Sequence, residues 1–378
     1  MKLYNRIMCI VMLSISFLLI IGCSGNSKHH YSRAKRTSLD ILASVKGQIK
    51  SSPLAMKWHY QIPDVSIAKL HQVADILVVE TSDNTLYAFD ANSGVPQWMY
   101  TLGDSVDFSI EECNGKIYIL AMSKLHVLDK KSGKLLFTRM LDLTPCSPMY
   151  INPHFIFMGS WDHFLYALNT ADGRMAWRFR IDGYVQGKPT VLDNVLFFNG
   201  TDNRVYAINA TTGYSQESWG KDGRYTTRGQ NVSNVIAQNA PARIFFGSSD
   251  YNFYSLNRIN GDLVWKMESG GEIARKSVLV NDTLYFESQP IDQEPNFIAL
   301  NEKDGSVKWT VEKANNLFFI GKKYTWLTDD DHHIFAVDEN SKEVTQFLLG
   351  QADFFTSSTG NMGFFAHEDG YIIALQEK

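Results

Sequence analysis

The stretch Asp162-His163-Phe164-Leu165-Tyr166-Ala167-Leu168-Asn169-Thr170-Ala171-Asp172-Gly173-Arg174-Met175-Ala176-Trp177 decides the fold, because its pattern returns along the chain. The core of the pattern, Tyr-Ala-Leu-Asn or a close relative of it, begins at Tyr87, His126, Tyr166, Tyr206, Tyr254, Ile298, Phe335 and Ile373. The steps between copies are 39, 40, 40, 48, 44, 37 and 38 residues. A period near forty, built of short apolar strands, is the mark of a β-propeller with one blade per repeat. One repeat cannot bury both faces of its sheet alone, so the blades must stack. The expectation is an all-β, eight-bladed β-propeller.

The repeat has an internal grammar. Seven residues after the first position comes Gly94, Gly133, Gly173, Gly213, Gly261 or Gly305. Glycine there permits the positive φ of a tight hairpin. Eleven residues after it comes Trp98, Phe137, Trp177, Trp265 or Trp309, with the fourth copy shifted to Trp219. A large ring at a fixed point on the outer strand is placed to pack between neighbouring blades. Four residues before it stands Asp83, Asp162, Asp202, Asp250, Asp331 or Asp369, suited to bonding the backbone of a turn. Each blade therefore reads as four strands: a variable first, an apolar second, the repeated third and a ring-bearing fourth.

The eighth copy ends too near Lys378 for a fourth strand, and the missing strand precedes the first blade. Met56-Lys57-Trp58-His59-Tyr60-Gln61-Ile62 matches Met175-Ala176-Trp177-Arg178-Phe179-Arg180-Ile181 in type and spacing. The N-terminal strand is thus expected to close the ring, which leaves no long sheet edge exposed.

The N-terminus reads differently. Lys2 and Arg6 precede an apolar run from Ile7 to Ile21, followed by Gly22 and Cys23, the order of a secretory signal. Ile20-Ile21-Gly22-Cys23 resembles the bacterial lipobox, which implies cleavage before Cys23 and lipid attachment to it. An ordinary signal, or a membrane helix with an incidental cysteine, is the alternative. Ser24 after the cysteine favours outer-membrane sorting. The expected organisation is a signal over 1–22, a flexible lipidated tether over 23–55 and the propeller over 56–378. The tether carries six basic residues against Asp40. The body from 56 onward holds 28 basic and 39 acidic residues, a net charge of −11. That balance argues against a nucleic-acid partner. Of the four cysteines, Cys9 falls in the signal and Cys23 at the lipid site. Cys113 and Cys146 remain, in a compartment where a disulfide is permitted.

Linear motifs for chemistry are few. Asp329-Asp330-Asp331-His332-His333 has the donors of a transition-metal site, but it fills the position taken elsewhere by Gly247-Ser248-Ser249-Asp250 and reads as a polar hairpin turn. Glu111-Glu112 is also read as a turn. No phosphate-binding glycine motif, HExxH run, CxxC pair or nucleophile elbow occurs. No catalytic residue, cofactor or metal is expected. Two segments depart from the repeat: residues 220–233, read as an extra loop between blades four and five, and Pro290–Pro295 in blade six. Extended loops on a rigid scaffold are where recognition concentrates.

The repeat resembles the PQQ-type propeller repeat. With the lipobox, tether and eight blades, the chain is similar to the BamB-type lipoproteins, accessory subunits of the outer-membrane β-barrel assembly machinery. The resemblance implies an outer-membrane location on the periplasmic face, a BamA-like barrel-forming partner and unfolded barrel substrates. The family uses a Leu-Arg-Gly element after the fourth blade; here Thr227-Arg228-Gly229 stands there, with Tyr225 as an earlier apolar position. The family's acidic pair maps to Gly271-Glu272-Ile273-Ala274-Arg275, where Glu272 is one acid and Ala274 replaces the other. Tyr225, Arg228, Gly229 and Glu272 are therefore the candidate partner-binding residues. Two other readings stand beside this one: a lipid-anchored propeller for another envelope partner or a glycan, and a quinoprotein dehydrogenase.

Overall fold

The computed structural model describes residues 38–378, apart from 51, 109, 221, 332, 341, 349–353 and 356–359. The chain divides into one unit over 1–41 and a second over Leu42–Lys378. The second unit carries eight antiparallel four-stranded sheets, the expected eight-bladed propeller. In blades one to seven the four strands follow in chain order. Blade three, for example, runs Tyr150–Ile151, Phe155–Gly159, Phe164–Asn169 and Met175–Arg180. Blade eight takes its outer strand from the other end of the chain. Leu54–Gln61 pairs with Tyr371–Glu377, which pairs with Met362–Ala366 and then Phe354–Phe355. Trp58 stands opposite Ala374 as Trp98 stands opposite Ala88, so the closing strand reproduces the register of the others.

Two N-terminal expectations need correction. The closing strand begins at Leu54 rather than 56, because Leu54 is itself buried in the core. Within the stretch expected to be a flexible tether, Ser38–Ile49 is a helix. Val45 and Ile49, four apart and therefore on one helical face, pack against Leu54, Phe319, Trp326 and Leu375. Among the described residues no helix is long and apolar enough to cross a membrane.

The burial pattern explains why the repeat was readable. Second and third strands are enclosed on both sides by neighbouring blades, so they are continuous apolar runs rather than alternating ones. Ile156-Phe157-Met158 and Leu165-Tyr166-Ala167-Leu168 are all buried. Phe157, Leu165 and Ala167 of blade three pack on Ile181 and Val185 of the following link and on Leu196 and Phe198 of blade four. At about 1.5–3 kcal/mol for each large apolar side chain buried, these interblade layers dominate the stability of the ring.

Outer-strand rings add a second interblade lock. A Cβ on Gly133 would lie 2.6 Å from Cγ of Trp98, and the turn glycines Gly94, Gly213, Gly261 and Gly305 meet Trp58, Trp177, Trp219 and Trp265 in the same way. The indole N–H groups of Trp58, Trp98 and Trp265 donate to carbonyls of the next blade at 3.0, 2.8 and 3.2 Å. The repeated aspartate does more than bond its turn: Asp162, Asp202 and Asp250 also accept the hydroxyls of Tyr166, Tyr206 and Tyr254.

Blade four departs from the expected plan. In blade three Leu165 pairs with Phe179, whereas in blade four Val205 pairs with Tyr225. The added residues thus lie inside the blade, before its outer strand Arg224–Thr226, and do not form a loop wholly beyond it. The displaced Trp219 was the signal of this. It has left the strand but remains fully buried, with its indole on Gly261 of blade five. A second correction concerns Glu111, which lies in the first strand of blade two, Ile110–Cys113, rather than in a turn. Cys113 and Cys146 are both free thiols; Cys146 is buried, and burial pushes its pKa up to about 12.

Candidate partner interface

Strand order alone sorts the connections onto the two faces of the ring. In each blade the hairpins joining strands one to two and three to four lie at one face. The hairpin joining strands two to three, and the link to the next blade, lie at the other. All the sequence-derived candidates except Tyr225 and Cys23 fall on this second face. Tyr225 sits on the outer strand leading to it, and Cys23 lies outside the described residues.

The link from blade four to blade five is built on Thr227. Its hydroxyl, in a residue only 8% exposed, lies 3.0 Å from the Asn203 carbonyl and 2.8 Å from the Gly229 carbonyl. It accepts the Asn231 side-chain amide at 2.9 Å. A leucine here would keep the backbone bond to the Asn203 carbonyl but lose the hydroxyl's bonds to the Gly229 carbonyl and the Asn231 amide, so the departure from Leu-Arg-Gly to Thr-Arg-Gly has a local structural reason. The fastened turn presents Arg228 outward. Its side chain is exposed, and its guanidinium makes no hydrogen bond or ion pair among the described residues, while its N–H donates to Asp250 Oδ2 at 3.1 Å. Gly229 is required by close approach: an added Cβ would sit 2.7 Å from Ser249 Oγ. Tyr225 meets Tyr254 edge-on at 6.1 Å, and the Tyr254 hydroxyl donates to the same Asp250 carboxylate at 2.7 Å.

Asp250 is therefore the hub of this segment, a role that the reading of it as a turn residue missed. Burial works to raise its pKa, but the bonds from Tyr254, the Arg228 N–H, Asn252 and Ser248 outweigh it and hold the carboxyl below its ordinary value. From the blade-five hairpin the contacts continue. The Ile273 N–H donates to the Ser248 carbonyl at 3.4 Å, and Glu272 exchanges two backbone bonds with Gln289 of blade six, at 3.0 and 2.9 Å. The Glu272 side chain is exposed, as is Ala274. Nearby, Glu287 is 5% exposed and pairs with Arg275 at 2.9 Å; burial raises its pKa and Arg275 opposes the rise. Arg228, Gly229 and Glu272 thus belong to one hydrogen-bonded arc across blades four, five and six.

Two other polar groups stand apart. Asp329, Asp331 and His333 place their donor atoms within 4.8 Å of one another. Asp329 Oδ1 accepts the N–H groups of Asp331 and His333, and Oδ2 lies 2.7 Å from His333 Nδ1. This is the bonding of the hairpin turn that the sequence suggested. Lys188, just before the first strand of blade four, reaches Glu111 in the first strand of blade two at 2.6 Å. Desolvation by the packed groups around it, reinforced by the Lys188 charge, lowers the pKa of Lys276 beside them, although its side chain is exposed. This pairing across the ring has no local sequence signal.

Comparison with known proteins places these features in a group. A family described as outer membrane protein assembly factor BamB matches residues 150–345. The outer membrane protein assembly factor BamB of Shewanella oneidensis is 25% identical over 199 residues, covering 49% of this chain and 48% of that protein. The chain spans about half the length of this curated relative. The quinoprotein alcohol dehydrogenase PedH of Pseudomonas putida is 27% identical over 128 residues, covering 31% of this chain and 21% of the enzyme. Among solved structures, BamB from Moraxella catarrhalis superposes with a TM-score of 0.67 at 15% identity, covering 86% of this chain and 98% of that one. That last likeness concerns the fold.

Proposed function

The chain belongs to the family described as outer membrane protein assembly factor BamB, and from that premise we propose that it is a non-catalytic scaffold for assembly of outer-membrane β-barrel proteins. In this reading Cys23 carries the lipid, residues 1–22 are removed as a signal, and the propeller stands on the periplasmic face of the outer membrane. The barrel-forming, BamA-like subunit docks on the arc of blades four to six. Arg228 is the anchor, Tyr225 and Gly229 shape its setting, and Glu272 supplies the acid.

The observation that carries this reading is the state of Arg228. Its backbone is fixed by Asp250 while its exposed guanidinium is left without a hydrogen bond or ion pair among the described residues. A held arginine with open donors suits an interface anchor, since little ordering remains to be done on binding. Thr227 strengthens the argument, because it fastens the turn by its hydroxyl rather than by the apolar contact a leucine would make.

The test is a crosslinking pull-down of the tagged, lipidated protein from its own host, paired with Arg228→Glu. Recovery of the barrel-forming subunit with the parent chain and its loss with the variant is expected. Recovery of a different envelope protein, or of a glycan, overturns the proposal.

A further inference from the structure

The seam between blades two and three departs from a contact that five other seams share. At five other seams the turn glycine of the next blade lies against a tryptophan ring. Here Phe137 stands opposite Val127, in the register where Trp98 faces Ala88 and Trp177 faces Ala167. Gly173 keeps the turn, with φ +68°, but an added Cβ on it would meet Arg139 Cβ and Cγ at 3.2 Å and Leu125 at 3.3 Å, with no indole among its nearest neighbours. Arg139 also ties the seam: its Nε donates to the Asp172 carbonyl at 3.0 Å, two residues beyond the position whose carbonyl takes the indole N–H elsewhere.

The exchange of an indole for a smaller ring and an arginine leaves an open groove of about 280 Å³ at this seam. Its walls are apolar, from Met140, Leu141, Leu143 and Met175, and its charged lining is Arg139, Arg174 and Arg178 against Asp142 alone. The groove is thus cationic on a body that is strongly anionic overall. The arginines are only partly engaged. Arg174 faces Asp172 at 3.5 Å, and Arg178 lies 4.2 Å over the Phe164 ring with the Tyr166 hydroxyl at 3.5 Å. A guanidinium has five donors, so each keeps capacity for a carboxylate. Guanidinium groups also stack on aromatic rings.

We propose that this seam is a docking groove for an acidic peptide segment of another protein, one that lays an aromatic side chain where the other seams hold their own indole and pairs its flanking carboxylates with Arg139, Arg174 and Arg178. Charge complementarity and the kept turn glycine select this occupant. The groove is on the outer rim between blades two and three, so it is independent of the arc on blades four to six.

The experiment uses the full chain and a fluorescein-labelled six-residue peptide with one tryptophan between two glutamates, read by anisotropy. Two control peptides replace the tryptophan by alanine, or both glutamates by lysine. The parent chain is expected to bind the first peptide with an affinity that falls as salt rises, and both controls at least tenfold more weakly. Phe137→Trp, which rebuilds the indole of the other seams, is expected to melt at the parent's temperature or above and to weaken peptide binding at least tenfold. Arg174→Glu changes an exposed side chain and serves if Phe137→Trp folds poorly; the same loss is expected. Absence of binding to the parent, equal binding of the lysine peptide, or undiminished binding by whichever of the two variants melts like the parent overturns the proposal.

Discussion

The two faces of the ring are built by opposite rules. On one, the turn repeats almost without change. Gly94, Gly133, Gly173, Gly213, Gly261 and Gly305 all have φ between 65° and 76°. Their N–H groups donate to the carbonyl four residues earlier at 2.8–2.9 Å. On the other face the connections share some bonds, since Thr227 and Ser269 fasten their links alike and Asp162, Asp202 and Asp250 each accept a tyrosine, but they vary more: Glu272 pairs its backbone with Gln289, and Asp329 closes a turn on itself. Repetition encodes the scaffold because every seam poses the same packing problem. Variation is greater on the face where a partner is proposed to bind. The comparison predicts that substitutions on the repeating side act on stability, and that those on the individual side act mainly on recognition.

The largest expected effect is that of Trp219→Ala. This ring is fully buried and fills the seam of blades four and five although it has left its strand. Its loss should cost about 3–5 kcal/mol, read as a fall in the urea midpoint at unchanged slope. A cost below about 1 kcal/mol would mean that the displaced tryptophan no longer acts as a seam lock. Gly261→Ala probes the other half of the same contact. The residue sits at φ +76°, and its new Cβ would come within 2.9 Å of Trp219 Cδ2. Backbone strain and the clash together should cost roughly 1–3 kcal/mol. Combined with Trp219→Ala, the two costs should add to less than their sum, since removing the ring removes the clash.

What the sequence made legible follows the same division. The blade count, the closing strand and the Trp-on-Gly seams were readable because periodicity exposes any position held by a repeated contact, and Trp58 could be recognised by comparison with Trp177. The breaks were readable only as irregular spacing. The shift to Trp219 announced an insertion, but where it lay depended on the pairing of Val205 with Tyr225, which is a long-range choice. The helix Ser38–Ile49 was missed because its stretch was read as a tether from its basic composition, while its described contact with the ring rests on Val45 and Ile49. At the candidate interface the exposed residues were named, yet the hub was not. Asp250 has the same position in the repeat as Asp162 and Asp202, and only the fold brings the Arg228 N–H to it. Glu111 and Lys188 lie 77 residues apart and meet only across the ring.

Asp250→Asn tests the hub, with a smaller expected effect. The native carboxylate has a depressed pKa, so its contribution to stability is present above the ordinary value of 3.8 and is lost as pH falls through the lower folded value. The variant should be less stable than the parent at pH 7, by about 1–3 kcal/mol for weakened bonds to a partly buried group. The difference should shrink steadily below about pH 4. A difference independent of pH would show that the charge is not what matters, and that Asp250 acts as a turn residue like its counterparts.

Arg228→Ala should have the smallest effect on stability and sharpens the comparison most. The guanidinium touches no hydrogen-bond partner among the described residues, and alanine keeps the N–H that donates to Asp250. The melting curve should therefore stay within about 0.5 kcal/mol of the parent, while recovery of the proposed partner falls. The expectation differs from that for Trp219 in kind as well as size, because one side chain is spent on the ring and the other is left over from it. If Arg228→Ala instead destabilises the protein by an amount comparable to Asp250→Asn, the side chain is part of the scaffold. The individual face would then be individual for reasons of packing, and the anchor of the interface would have to be sought elsewhere on the arc, with Glu272 the next residue to test.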